Sequence, residues 1–349
     1  MNRKKIFLFG CIVIGLIGAA FINNNSVPFI VPKGWPKPVY DFNKNTNSEA
    51  GFQLGRLLFY DPLLSRDNTI SCASCHLQAT GFTHVDHDLS HGIEGKIGTR
   101  NSMTIMNAAW NPSFMWDGAI NHLDVQALAP ITNPLEMDET LENVVAKLNV
   151  SALYRGYFYK AFGDSLATGE HTLLALSQFM IQLNSSNSRY DKFIRKEPEA
   201  NFTTQEQNGL KIFETQCASC HPAPLFTTYK FENNGLPMDP TLNDFGRFNV
   251  SRKAEDSFKF KVPTLRNIQF SGPYMHDGRF DKLSEVIEHY RSGVVSYGNL
   301  SSSLQNRITI SDNEKVDLIA FLFTLSDTSF LFNPRYSFPR ELIHTAAKE

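Results

Sequence analysis

The feature that most constrains this chain is a pentapeptide that occurs twice, Cys-Ala-Ser-Cys-His, at Cys72 to His76 and again at Cys217 to His221. Two thiols at this spacing can each form a thioether to one vinyl group of a porphyrin, and the adjacent His then stands where it can ligate the iron from one face. Two motifs therefore imply two covalently attached haem c groups. The competing use of paired Cys residues is a zinc ribbon, which needs its pairs roughly 15–20 residues apart in a fold that joins them. Here the pairs are far apart and each carries its own His. The chain has five cysteines, and the one outside the motifs, Cys11, falls in an N-terminal leader. No thiol is left for a disulfide, so stability must come from cores built around the porphyrins.

The leader, residues 1–22, reads as an export signal. Arg3, Lys4 and Lys5 precede an apolar run from Ile6 to Ile22 that breaks at Asn23, Asn24 and Asn25. Gly18 and Ala20 offer a small-residue cleavage pattern, and cleavage after Ala20 is favoured over retention as a membrane anchor, for which the run is just long enough. Cys11 follows Leu8-Phe9-Gly10 in a lipoprotein-like order, but too few apolar residues precede it for lipidation, and it is expected to pack inside the leader. These features place the mature protein in the periplasm. Its formal net charge of −2 gives no basic surplus for nucleic acid and no electrostatic patch for a membrane surface. With 349 residues, 42% hydrophobic and 12% aromatic, the chain is long and apolar enough for two domains with their own cores.

Pro28, Pro32, Pro36 and Pro38 mark residues 23–50 as an extended arm. Helical spacing then dominates, from Gly51 to Tyr60, Thr140 to Val150 and His171 to Leu183. Thr204 with Gln207 frames a capping box for a helix ending near Glu214, and Ser311 with Glu314 frames one for a helix through Leu325. Alternating strand patterns are scarce, so the predicted fold is all-α. Thr104 to Leu123 also aligns without gaps onto Thr264 to Leu283, matching Asn107 to Asn267, Met115 to Met275, Asp117 to Asp277 and Gly118 to Gly278. Both Cys motifs follow a Gly-x-x-x-Phe helix end, Gly55 to Phe59 and Gly209 to Phe213. Together these predict two cytochrome c-like haem domains related by internal duplication, 51–200 and 201–332, followed by a tail at 333–349.

Five segments, LGRLLFYDPLLSRDNTISCASCH, GTRNSMTIMNAAWNPSFMWDG, QALAPITNPLEM, VPTLRNIQFSGPYMHDGRF and DLIAFLFTLSD, give the chain a specific resemblance, from about Gly51 to Asp327, to the bacterial di-haem cytochrome c peroxidases and their relative MauG, which oxidises tryptophans of a partner protein. The resemblance implies that peroxide reacts at the N-terminal haem, with His76 as its proximal ligand, while the C-terminal haem, on His221, passes or stores electrons. Glu136 matches the distal carboxylate, a group suited to moving a proton between the two peroxide oxygens. Gln126 and Pro130 match the other distal positions, and Trp116 the tryptophan between the haems. Taken alone, Glu136 reads as a helix N-terminal charge and Trp116 as a core aromatic beside a turn.

The same resemblance implies a calcium ion held by the Asn101 side chain and the carbonyls of Ser271 and Pro273, oxygen donors that suit that ion. Among His84, His87 and His91, the last matches a His that caps the peroxidatic iron in many of these enzymes; an ordinary solvated loop His is the plain alternative. For the sixth ligand of the second haem, Tyr290 occupies the axial position and shares a helical face with Leu283, Val286 and Ile287. Met275 is the alternative, a standard thioether partner, but its repeat counterpart Met115 lies in the domain whose iron should be open. The implied activity is reduction of hydrogen peroxide with electrons from a small cytochrome or cupredoxin, and a homodimer is compatible with it. The alternatives are MauG-like oxidation of a partner protein's side chains and a non-catalytic di-haem electron carrier, for which Glu136, Gln126 and Trp116 would be superfluous.

Overall fold

The computed structural model describes residues 26–346; the expected leader, with Cys11, lies outside the described residues. Helices dominate, and the sheet among the described residues is one short antiparallel ladder, Phe231 opposite Lys261 and Glu232 opposite Phe260. The helix-rich architecture agrees with the fold class read from the sequence.

Each Cys motif is preceded by a helix that crosses a partner at close range. The first helix, Glu49–Tyr60, is capped by Ser48, whose hydroxyl accepts from Gly51 N–H at 3.0 Å. It ends before Pro62, which has no N–H to extend it. Its buried face includes Phe52, Leu54, Leu58 and Phe59, and it packs on Gly169–Ile181. Gly55 makes the crossing feasible, since a Cβ there would lie 1.9 Å from the Ala175 carbonyl oxygen. The second motif repeats the arrangement with Thr204–Gln216 against Asp312–Phe323. There a Cβ on Gly209 would lie 2.0 Å from the Asp317 carbonyl oxygen. In both crossings the partner helix then supplies a buried aromatic, Phe179 or Phe321.

Two capping expectations shift slightly. The box on the Thr204–Gln216 helix is formed one residue earlier, by Thr203 and Glu206, because the Glu206 carboxylate is a stronger acceptor for the cap N–H than the Gln207 amide. Ser311 and Glu314 form their box as expected, but the helix stops at Phe323.

The repeated segment has the same backbone in both copies. Asn107 and Asn267 are left-handed at φ 56 and 58, Met115 and Met275 at 67 and 77, and Gly118 and Gly278 at 70 and 71. Phe114 N–H donates to Ile120 O, and Tyr274 N–H to Phe280 O, each at 2.7 Å. The two asparagines meet on one residue: Asn107 accepts from Ser185 N–H at 3.0 Å, and the Asn267 amide donates to the Ser185 hydroxyl at 3.0 Å.

The two lobes do not divide at a single point of the chain. Tyr190, before residue 200, packs in the core with Phe213, Phe226 and Phe321, whereas Phe330 and Leu331 return to the first core with Phe59 and Phe82. The segment after 333 is also held, with the Arg56 guanidinium donating to Ser337 O and Glu341 and Tyr60 OH donating to Tyr336 O, each at 2.7 Å. The proline-rich arm lies on Trp110 through Phe29 and Trp35.

The close crossings predict that Gly55→Ala destabilises the protein by about 1–3 kcal/mol or more, because the two helices must separate to admit the methyl group. Gly156→Ala, in Ala152–Phe162 with no atom within 4 Å of its Cβ position, should instead stabilise by about 0.5–1 kcal/mol. Denaturant unfolding of the two variants beside the parent protein checks both signs.

Candidate haem and active site

Each motif forms one helical turn that ends at its histidine, with His76 N–H donating to Cys72 O and His221 N–H to Cys217 O, both at 3.0 Å. The imidazoles are then fixed in the same way. His76 Nδ1 lies 2.9 Å from Phe82 O and His221 Nδ1 lies 3.1 Å from Phe226 O. A carbonyl can only accept, so Nδ1 carries the proton in both rings and Nε2 presents its lone pair. This is the outer hydrogen bond that metal-ligating histidines ordinarily make. Phe82 and Phe226 turn their carbonyls inward through left-handed backbone at φ 59 and 54. Burial holds both imidazoles below their ordinary pKa, His221 down to about 4, which keeps them neutral and able to ligate. Burial also pushes the thiols of Cys72 and Cys217 up to about 12 and that of Cys75 to about 11.

Each motif opens on its own cavity, of about 310 Å³ at the first motif and about 220 Å³ at the second. The first is lined by Cys75, His76, Gln126, Pro130 and Glu136, the second by Cys217, Cys220, His221, Met275 and Tyr290. Trp116 lines both. It is 8% exposed, its indole N–H donates to Asn101 O at 2.9 Å, and its own carbonyl accepts from Lys261 N–H at 2.7 Å.

Glu136 is held from two sides. The Asn133 amide donates to its Oε1 at 2.7 Å, and Ile93 N–H donates to its carbonyl at 2.8 Å. Burial outweighs the Asn133 bond and raises the carboxyl above its ordinary pKa, which favours a form that holds a proton. The Gln126 amide faces Met115 Sδ at 3.9 Å, and Pro130 lies in the short helix Leu128–Thr132. His91 is not among the residues lining the first cavity. Its ring packs at a tilt against His87, which packs likewise against His84, each pair at 3.9 Å between centroids.

Asn101, Ser271 and Pro273 all line the second cavity. The Asn101 side chain donates to Asp88 O at 3.0 Å and its N–H to His276 O at 2.7 Å. Tyr290 lies in a π-helical turn, His289–Gly293, a departure from α-helix of the kind that marks functional positions. Burial pushes its phenol up to about 12.

Residues 49–199 match the sequence family described as di-haem cytochrome c peroxidase. The methylamine utilization protein MauG of Methylorubrum extorquens is 34% identical over 283 residues, covering 78% of this chain and 77% of that protein. The cytochrome c551 peroxidase of Nitrosomonas europaea is 32% identical over 279 residues, covering 78% and 79%. The chain belongs to the di-haem cytochrome c peroxidase family. A solved structure described as a MauG-like protein associated with microbial copper homeostasis superposes with a TM-score of 0.82 at 32% identity, covering 90% of this chain and 99% of that one.

The family implies two haem c groups, and this chain's residues fit them. The half-buried thiols of Cys72, Cys75 and Cys217, pushed above their ordinary pKa beside a neutral, Nδ1-anchored His, suit thioether attachment and axial ligation better than they suit a thiolate metal centre. Among the described residues no three His, Cys, Asp or Glu side chains are grouped to hold a zinc ion. Three residues of the site carried no signal strong enough to be singled out in the sequence. Asn133 could have been found from its position three residues before Glu136. Asn234, between Met275 and Tyr290, could not. Nor could Lys261, which is 2% exposed, donates to Ser113 O at 2.5 Å, and is pushed down to about 7 by burial.

The expected outcome for the motifs is an intact protein mass that includes two haems after acid-acetone extraction. Cys72→Ala together with Cys75→Ala should remove one haem and leave the other on Cys217 and Cys220. A parent protein carrying one haem or none, after expression with a working attachment system, would contradict the assignment.

Proposed function

We propose that the protein is a periplasmic peroxidase that reduces hydrogen peroxide in the first cavity, with electrons from a small cytochrome or cupredoxin entering through the second haem. The observation that carries this reading is Glu136, a carboxyl raised by burial and lining the same cavity as His76. When bound, the haem supplies the electrons that break the O–O bond. Glu136 accepts a proton from the near peroxide oxygen and delivers it to the far one, so that the leaving fragment departs as water. Asn133 keeps the carboxyl aimed, while Gln126 and Pro130 shape the space around it. Trp116 relays electrons between the two sites, supported by its place on both cavity walls.

In this reading His76 and His221 are the proximal ligands, and Tyr290 is the sixth ligand of the second haem. Calcium is held by Asn101, Ser271 and Pro273 between the lobes. The matched left-handed positions and the paired helix crossings support an origin of the two haem domains by duplication. No helix among the described residues is long and apolar enough to cross a membrane; export rests on the leader.

Tyr290 also favours a second reading, MauG-like oxidation of a partner protein's side chains. A phenolate donates charge and stabilises oxidised iron, whereas a thioether favours the reduced state. A non-catalytic electron carrier would have no use for the Glu136 carboxyl.

Glu136→Gln should keep both haems and their resting spectra but slow peroxide reduction by about a hundredfold or more. Unchanged kinetics would reduce Glu136 to a structural charge. Trp116→Phe should spare peroxide cleavage and slow electron passage between the haems, measured by stopped-flow absorbance with a reduced small cytochrome. Turnover that needs the cytochrome supports the peroxidase, whereas oxidation of tryptophan in an added protein without it supports the second reading.

A further inference from the structure

The two candidate ligands of the second haem line one cavity with Asn234. The Asn234 amide nitrogen donates to Met275 Sδ at 3.6 Å. Its orientation is settled by its other contacts. Leu236 N–H donates to Asn234 Oδ1 at 3.2 Å, which turns the NH₂ group toward the cavity that Tyr290, Met275 and His221 line. The Asn234 backbone carbonyl accepts from His289 Nε2 at 3.1 Å, and His289 opens the π-helical turn that carries Tyr290. One residue therefore anchors the turn that carries Tyr290 through its main chain and engages the Met275 sulfur through its side chain.

We propose that Asn234 is the positioning residue that selects Tyr290 over Met275 at the second haem: its amide N–H occupies the methionine sulfur, and its carbonyl anchors the turn that presents the tyrosine. The inference rests on the reading of Tyr290 as the axial ligand and adds the reason for that choice. A sulfur engaged by an N–H donor has part of its lone-pair density turned away from a metal. Met275 is further restrained because its backbone is left-handed at φ 77, in the tight turn closed by Tyr274 and Phe280.

The test is Asn234→Asp in the full di-haem protein, read by absorption and electron paramagnetic resonance of the ferric state and by redox titration of each haem. The substitution keeps the size and the acceptor for Leu236 N–H but removes both amide donors. The expected result is loss of the wild-type ferric signature of the second haem, appearance of a His–Met signature in more than half of the molecules, and a higher potential for that haem alone. Adding Met275→Leu to Asn234→Asp should abolish the His–Met signature, and Asn234→Leu, which removes the donors without adding charge, should reproduce the switch. A second haem that keeps its wild-type spectrum and potential in both Asn234 variants, while Tyr290→Phe changes them, would overturn the inference and leave the tyrosine ligand standing. No change in Tyr290→Phe itself would overturn both.

Discussion

A histidine that ligates iron through Nε2 needs its other nitrogen held, and in both halves of this chain one backbone carbonyl does so. Phe82 and Phe226 supply it, and each must enter the left-handed region to aim it. Their rings are fully buried, in the first and second cores respectively. The orientation of each imidazole is thus tied to the packing of a whole lobe. The helix crossings at Gly55 and Gly209 bring Phe179 and Phe321 onto those same aromatic clusters. Loosening either crossing therefore loosens the platform under a histidine, although neither glycine touches a cavity.

The haem motifs, the helical class and the repeated segment were legible because they are local. A pentapeptide, a 3.6-residue period and a left-handed Asn or Gly each leave a mark within a few positions. The cap at Thr203 was misplaced by one residue because Thr203–Glu206 and Thr204–Gln207 offer the same spacing, and only acceptor strength separates them. Long-range pairings left no mark. Nothing near Tyr190 says that it packs with Phe321, nothing near Leu331 says that it returns to Phe82, and nothing near Asn234 says that its amide reaches the Met275 sulfur. The arm illustrates the same limit. Its prolines announce an extended segment, but its docking on Trp110 depends on aromatics whose partner is distant in sequence.

Trp116 shows how the two cavities are coupled mechanically. Its indole is tied to Asn101, whose own N–H holds His276 O at the equivalent repeat position in the second lobe. Lys261 grips the same loop twice, through its N–H to Trp116 O and through its ammonium to Ser113 O.

The remaining tension is between the expected cap on the first iron and a phenolate on the second. A cap released on reduction makes sense when the second haem has an accessible reduced state, as a thioether would give it. A phenolate works against that state, and with Tyr290 as ligand a reductive trigger would have little to act on. The loop after the first motif is arranged accordingly. Gly92 lets it pass against Leu135 and Glu136, where a Cβ would lie 2.1 Å from the Leu135 carbonyl oxygen, and Ile93 fastens it there through Glu136 O. His91, immediately before Gly92, packs against His87 and is not among the residues lining the first cavity. The loop that would carry a cap is here bonded to the segment that carries Glu136.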